Sequence, residues 1–191
     1  MDGVLRSDVK VMESPTPSWR MRIYDVLLRF LGLAFTFVAA VLVGVTRETK
    51  IIPITISQGV PVLHIPLTAK WQYMSAFVFF LVTNSVACAY AAGSLVYSVA
   101  ARSFKHMNAA LALSILDLIM MALLYSANGA AAAIGLVGRD GNSHVQWRKI
   151  CDVFDGYCHH LAAALVLSLI GSFAFLGLVL LSVLGLHKKS K

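Results

Sequence analysis

Four long apolar stretches, separated by polar segments, dominate the pattern of this chain. They cover residues 23–45, 71–100, 109–137 and 160–186. Each is long enough to cross a bilayer, which takes about 20 residues of helix. A water-soluble protein would need four buried helices of this length to give the same pattern. The sequence therefore predicts an all-α membrane protein, a bundle of four transmembrane helices.

The polar segments then become tails and loops. They are a cytoplasmic tail at 1–22, an extracellular loop at 46–70, a cytoplasmic loop at 101–108, a second extracellular loop at 138–159 and a cytoplasmic tail at 187–191. The first span follows a polar tail and is too long for a signal-peptide core, so we interpret it as a retained signal anchor. The prolines and β-branched residues of the first extracellular loop favour short edge strands or an extended segment.

Composition and charge agree with a membrane and give the orientation. The chain is 59% hydrophobic and only 13% charged, with a net charge of +7 and a mean hydropathy of +0.78. Its basic residues flank the spans instead of forming a nucleic-acid-binding face, so no nucleic-acid partner is expected. Nine Lys and Arg residues fall on the side of the termini and six on the other side. This bias predicts cytoplasmic N and C termini.

Two ionisable residues lie about seven positions inside apolar stretches, Arg29 in the first and Asp117 in the third. A charge in hydrocarbon costs at least about 2.5–3.5 kcal/mol on insertion scales, so it usually faces a partner or a cavity. Both residues lie about 9–12 Å above the inner boundary, counting 1.5 Å per residue. Their shared depth, in spans that run in the same direction, predicts an intramembrane pair that holds the first and third helices in register.

Two alternatives to this pair stay open. Asp25 lies four residues before Arg29, on the same helical face, and can also pair with it. Asp117 can instead serve a small transporter or channel subunit as a proton or cation site, because intramembrane carboxylates often do so. The chain shows neither the broken helices nor the duplicated halves of secondary transporters. Transport is therefore the second interpretation.

Small and polar residues indicate where helices pack. The first span carries a small-residue stripe at four-residue spacing, and we expect it to face the bundle or a second copy. Asn84, near the centre of the second span, is expected to hydrogen-bond across helices. The stripe consists of Gly32, Thr36, Ala40 and Gly44.

Little in the chain indicates catalysis or a cofactor. Cys151 and Cys158 share the second extracellular loop, where the compartment permits disulfides, so they are a candidate bridge, with free thiols as the alternative. His159 and His160 lack the further ligands that a tetrahedral metal site needs. The chain has no nucleophile motif and no phosphate-binding glycine loop. We expect no enzymatic activity, no cofactor and no metal.

Several features, in the same order along the chain, resemble the plant CASP-like family. These four-span plasma-membrane proteins are related to Casparian strip membrane domain proteins and more distantly to MARVEL proteins. The family's basic residue of the first span matches Arg29, and its acidic residue of the third matches Asp117. The run AFVFFLVTNSVACAY at 76–90 and the loop from Trp147 through Cys151 to Cys158 also follow the family pattern.

The resemblance implies a plasma-membrane scaffold that self-associates, forms homomers and heteromers, and organises membrane domains or local cell-wall modification. Its implied partners are the bilayer, copies of itself, related family members, and extracellular or cell-wall proteins. Casparian strip members carry a short motif in the first outer loop, and residues 46–70 lack it. A general CASP-like scaffold is therefore expected in place of a Casparian strip role.

Overall fold

The computed structural model describes residues 19–54, 63–100, 107–144, 147 and 149–190. Four of its helices are long and apolar enough to cross a membrane. The predicted four-helix membrane fold is therefore confirmed, with a two-stranded hairpin added to it. The elements are α1 (Trp19–Val45), β1 (Arg47–Ile54), β2 (Leu63–Lys70), a short 3-10 helix (Trp71–Tyr73), α2 (Ser75–Ala100), α3 (Met107–Asp140) and α4 (Asp155–Ser190).

The four helices form a ring in which each packs on two neighbours. Helix α1 packs against α2 and α4, and α3 packs against the same two helices. Helices α1 and α3 therefore lie opposite each other across the diagonal. Any polar contact between them has to cross the centre of the bundle.

Helices α1 and α4 approach closely because glycines line their contact. A Cβ added to Gly32 would lie 3.3 Å from Cε2 of Phe175, and one added to Gly171 would lie 3.2 Å from Cγ2 of Thr36. Both distances are shorter than ordinary van der Waals contacts. Close backbone approach at small residues is a usual way to pack membrane helices, because lipid supplies no hydrophobic force between them.

Strands β1 and β2 pair antiparallel between the end of α1 and the start of α2. We call this end of the bundle the hairpin end. Arg47 lies opposite Lys70, and Ile51 lies opposite Pro66. Proline is tolerated because both strands of a two-stranded sheet are edges. The indole Nε1 of Trp71 donates a hydrogen bond of 3.2 Å to the carbonyl of Gly44, which ties the base of the hairpin to the end of α1.

The helices extend beyond the predicted spans, because an apolar run marks hydrocarbon thickness and not helix length. Helix α1 begins at Trp19 instead of residue 23, and α3 continues to Asp140 instead of 137. Gly141 follows α3 with φ of 70°, and its N–H donates to the carbonyl of Val137 at 2.9 Å. A left-handed glycine of this kind is a common helix stop.

The other helix ends differ from the prediction in the same way. Helix α4 begins at Asp155 and runs to Ser190, whereas the predicted span was 160–186. Its acidic first residue suits the positive end of the helix dipole. The predicted second span starts at 71, but Trp71–Tyr73 forms the separate 3-10 turn before α2. The predicted cytoplasmic loop at 101–108 falls mostly outside the described residues, as does most of the predicted tail at 1–22.

Candidate functional site

Arg29 of α1 and Asp117 of α3 meet inside the bundle. Nη1 and Nη2 of Arg29 donate to Oδ1 and Oδ2 of Asp117, both at 3.2 Å. The two side chains are 4% and 0% exposed. A bidentate contact of this kind fixes orientation as well as distance. Because α1 and α3 are diagonal partners, the pair joins two helices that otherwise have little mutual contact.

The arginine also contacts the acid that the sequence offered as its alternative partner. Nε of Arg29 donates to Oδ2 of Asp25 at 3.2 Å, and the side chain of Asp25 is 34% exposed. The hydroxyl of Ser98 on α2 donates to the same carboxylate oxygen at 3.1 Å. The two alternatives are thus compatible, since one guanidinium holds both carboxylates through different nitrogen atoms.

Tyr90 of α2 completes this polar layer. Its hydroxyl donates to Oδ1 of Asp117 at 2.6 Å and lies 3.2 Å from the carbonyl of Leu113. The interior layer therefore joins three helices through hydrogen bonds. We call Asp25, Arg29, Tyr90, Ser98 and Asp117 the polar layer.

The sequence pattern did not indicate Tyr90 or Ser98. Counting residues from the helix ends does indicate Tyr90. Arg29 lies ten residues after Trp19, and Asp117 lies ten after Met107. Tyr90 lies ten before the last residue of α2, which runs in the opposite direction. All three are therefore about 15 Å from the same end of the bundle. Counting backwards along α2 brings Tyr90 to the level of the charged pair.

Helix α4 closes the polar layer with an apolar side chain. Phe175 is fully buried, and its ring centroid lies 6.2 Å from that of Tyr90. It also packs at Gly32, one turn from Arg29. A glycine at that position leaves room for the ring, so α4 covers the charged layer at short range.

The predicted small-residue stripe on α1 enters the bundle only at its start. Gly32 and Thr36 are buried, whereas Ala40 is half-buried and Gly44 is exposed. An α-helix has 3.6 residues per turn, so positions four apart drift by about 40° at each step. The buried face therefore continues at Ala39 and Val43. Along its whole length, the stripe is not a single packing face.

Asn84 is fully buried, but its amide donates to the carbonyl of Phe80 on its own helix at 2.9 Å. Among the described residues, Asn84 does not make the expected hydrogen bond to a neighbouring helix. Asn128 of α3 makes one instead, from Nδ2 to Oγ of Ser172 on α4 at 3.2 Å. Helices α3 and α4 are thus joined by a polar contact separate from the polar layer.

The hairpin end contains a second set of polar contacts. The structure joins Cys151 and Cys158 in a disulfide, with Cα atoms 5.7 Å apart. Oε2 of Glu48 on β1 accepts a hydrogen bond of 2.8 Å from the N–H of Tyr157. This bond holds the pKa of Glu48 below its ordinary value of 4.5. The hairpin is thereby anchored to the first turn of α4, where an anion is favoured by the helix dipole.

The histidines beside this disulfide have local partners. Nε2 of His159 lies 3.4 Å from Oδ1 of Asp155, and Nδ1 of His160 lies 2.6 Å from the carbonyl of Gly156. Within the described parts of the chain, no group of three or more His, Cys, Asp and Glu residues is placed to hold a metal ion. Both histidine contacts lie within the first turns of α4.

Comparison with known proteins assigns the chain to a family. Residues 18–174 match the Casparian strip membrane protein domain. The chain belongs to the Casparian strip membrane protein family. The resemblance inferred from its residues is thus confirmed, and with it a multi-pass membrane protein. No solved structure matches the chain.

Individual relatives match along most or all of their length. The chain is 52% identical over 193 residues to CASP-like protein 1E1 of Vitis vinifera, covering 100% of the chain and 95% of that protein. It is 47% identical over 190 residues to CASP-like protein 1E1 of Glycine max, covering 100% of both. It is 47% identical over 170 residues to CASP-like protein 1E2 of Vitis vinifera, covering 89% of the chain and 87% of that protein.

Removing either member of the central pair should destabilise the bundle strongly. Arg29→Ala leaves the Asp117 carboxylate buried without its cation, and Asp117→Ala leaves the guanidinium with Asp25 alone. Each change should lower the free energy of unfolding by about 3–5 kcal/mol, as breaking a buried ion pair usually does. Denaturant titration in detergent micelles measures this.

Arg139→Ala is the matched control, because Arg139 pairs with Asp140 on the surface and its loss should not change unfolding measurably. Exchanging the charges at positions 29 and 117 should restore only part of the stability, because an acid at position 29 would face Asp25. Full tolerance of both single alanine variants would reject the role of the pair.

Tyr90→Phe should weaken the polar layer without creating a cavity. The change removes only the hydroxyl, so the Asp117 carboxylate accepts one hydrogen bond fewer. Losing a hydrogen bond to a charged acceptor costs about 1.5–3 kcal/mol. Tyr97→Phe is the control on the same helix, because Tyr97 is 40% exposed. The same titration measures both variants, and equal, small losses would show that the Tyr90 hydroxyl contributes nothing.

Attachment of the hairpin to α4 should depend on pH through Glu48. Its pKa is lowered in the folded state, so the contact stabilises the protein above pH 4.5. That contribution should disappear as pH falls through the lowered folded value. Hydrogen exchange at the Tyr157 amide, corrected for the intrinsic pH dependence of exchange, should show protection falling over this range.

Glu48→Gln should remove most of this pH dependence, because its amide oxygen still accepts the hydrogen bond but does not titrate. Asp152→Asn, which changes an exposed acid of the neighbouring loop, should retain it. Identical pH profiles for the wild type and Glu48→Gln would contradict the assignment.

Proposed function

We propose that the protein is a non-enzymatic scaffold of the plasma membrane that self-associates and forms heteromers with related family members. Its termini lie in the cytoplasm, and its hairpin end lies outside the cell. Through lateral assembly it organises membrane domains, and its outer loops contact extracellular or cell-wall proteins involved in local wall modification. Family membership supports this class of function.

The observation that carries the proposal is the closed polar layer. Three nitrogen atoms of Arg29 each donate to a carboxylate oxygen, and Asp117 is fully buried beneath Tyr90. These groups are used to hold helices together, which suits a fixed structural unit. What such a unit offers to partners is its lipid-facing surface and its loops.

The disulfide supports the proposed orientation. Cys151 and Cys158 lie at the hairpin end of the bundle, and disulfides persist in oxidising compartments such as the cell exterior. Placing this end outside agrees with the excess of basic residues on the side of the termini. The hairpin and the disulfide loop are then available to extracellular partners.

Helix α2 supplies a surface suited to self-association. Ser85, Ala89 and Gly93 recur at four-residue spacing, and all three are exposed. A Cβ added at Gly93 meets no packed neighbour within 4 Å among the described residues. Small residues at this spacing let two membrane helices approach closely. We assign this face, the α2 stripe, to the contact between copies.

Enlarging the α2 stripe should reduce self-association while leaving the fold intact. Gly93→Leu places a bulky side chain where a second helix would approach. The association constant, measured by energy transfer between donor- and acceptor-labelled copies in vesicles, should fall by about tenfold, which corresponds to about 1.4 kcal/mol. Gly185→Leu is the control, because Gly185 also has no packed neighbour within 4 Å among the described residues. Unchanged transfer in Gly93→Leu would reject this interface, and a wild type that stays monomeric at high density would reject the scaffold.

A transporter that uses Asp117 is the second candidate, because the polar layer holds two carboxylates for one cation and Asp25 is 34% exposed. Reconstitution in liposomes separates the two functions. The scaffold predicts no ion flux above that of empty liposomes. Flux that disappears in Asp117→Asn, with self-association intact, would overturn the scaffold and support transport.

A further inference from the structure

A groove of about 810 Å³ opens between α3 and α4 near the hairpin end. Its volume lies within the range of about 300–1,000 Å³ that is usual for sites of small molecules. Its walls are apolar, and small residues of α3 form one side while aliphatic residues of α4 form the other. They include Gly129, Ala132 and Gly135 of α3 and Leu161, Leu165 and Leu169 of α4.

The length of the groove matches one leaflet of a bilayer. On α3 its lining runs from Tyr125 to Arg139, and on α4 from Asp155 to Leu169. At 1.5 Å per residue each stretch is about 21 Å long. Half of a bilayer that is about 40–45 Å thick with its head groups is about 20–22 Å. A lipid chain from one leaflet fits this extent, whereas a helix from a second copy would continue across the whole bilayer.

Polar groups lie at the mouth of the groove and carry both signs of charge. Arg139 comes from the last turn of α3, and Asp155 and His159 come from the first turns of α4. A phosphate can accept hydrogen bonds from the guanidinium, and an ammonium group is attracted to the carboxylate. The mouth is therefore complementary to a zwitterionic head group that sits above an apolar chain.

We propose that this groove binds one zwitterionic phospholipid from the leaflet on the hairpin side. One acyl chain lies along Gly129, Ala132 and Gly135, and the phosphate contacts Arg139. The inference goes beyond the proposed scaffold function and does not depend on it, because the groove lies between α3 and α4 and the α2 stripe is on another helix.

The glycines of α3 make the site testable without disturbing the bundle. A Cβ added at Gly129 or Gly135 meets no packed neighbour within 4 Å among the described residues. A leucine at either position can therefore enter the groove, and replacing glycine within a helix also favours helix formation. The variants should fold as well as the wild type while leaving less space for lipid.

The experiment uses the full chain in phosphatidylcholine nanodiscs with a small fraction of phosphatidylcholine that carries a photoreactive acyl chain. Peptide mass spectrometry should find label concentrated at 129–139 and 159–169. Gly129→Leu and Gly135→Leu should each lower that labelling to the level found elsewhere on the bundle, because the leucine side chain fills the space that the acyl chain would occupy. Gly93→Leu, the matched control on α2, should leave it unchanged.

A second arm tests the head group. Arg139→Gln should reduce labelling by the phosphatidylcholine probe but not by a diacylglycerol probe with the same photoreactive chain. Arg47→Gln, which changes an exposed cation outside the groove, should affect neither probe. Equal loss with both probes in Arg139→Gln would overturn the assignment of the phosphate.

Three results would overturn the lipid site itself. They are uniform labelling around the bundle, wild-type labelling in both leucine variants of α3, and crosslinks between copies through Ala132→Cys in place of lipid labelling. Measuring self-association on the same variants distinguishes the lipid site from the proposed scaffold function. Gly129→Leu should lose lipid and keep self-association, and Gly93→Leu should show the reverse.

Discussion

The bidentate contact between Arg29 and Asp117 is the interaction on which the arrangement of the bundle depends. Neighbouring helices in this ring have extensive packing surfaces, but α1 and α3 are separated by the diagonal. Lipid chains are as apolar as leucine, so hydrophobicity does not choose between helix arrangements in a bilayer. A pair of buried charges does, because any arrangement that separates them leaves each charge in hydrocarbon without a partner.

The small residues of α1 and α4 allow these helices to pack closely around this contact. Gly32 admits the ring of Phe175, and that ring packs against Tyr90, whose hydroxyl donates to Asp117. A larger residue at position 32 would push α4 outward and open the charged layer. The apolar contacts of α4 and the hydrogen bonds of the other three helices therefore support each other.

Sequence periodicity predicted the four helices, the level of Arg29 and Asp117, and their pairing as one alternative, because a bilayer fixes both length and depth. It did not predict the helix ends. Helix α3 ends before Gly141, which has a left-handed conformation. The first turn of α4 donates a hydrogen bond to Glu48, a residue more than a hundred positions away in the sequence. Tyr90 was missed because an aromatic residue in an apolar run looks like lipid-facing surface until its level on the reversed helix is counted. Of the stripe from Gly32 to Gly44, the structure buries Gly32 and Thr36 and leaves Gly44 exposed, because four-residue spacing drifts around a helix.

The placement of polar groups inside the bundle has a consequence for recognition in the membrane plane. The charges inside the bundle are used in contacts among α1, α2 and α3, so they give no selectivity between neighbouring molecules. Selectivity within the hydrocarbon then depends on the shape of the lipid-facing surface. The α2 stripe offers room for a second helix, and the groove between α3 and α4 offers room for a lipid acyl chain. Charge contributes at the hairpin end, where Arg139 and Asp155 are exposed. In the proposed scaffold, lateral neighbours would be chosen by fit and outer partners by charge.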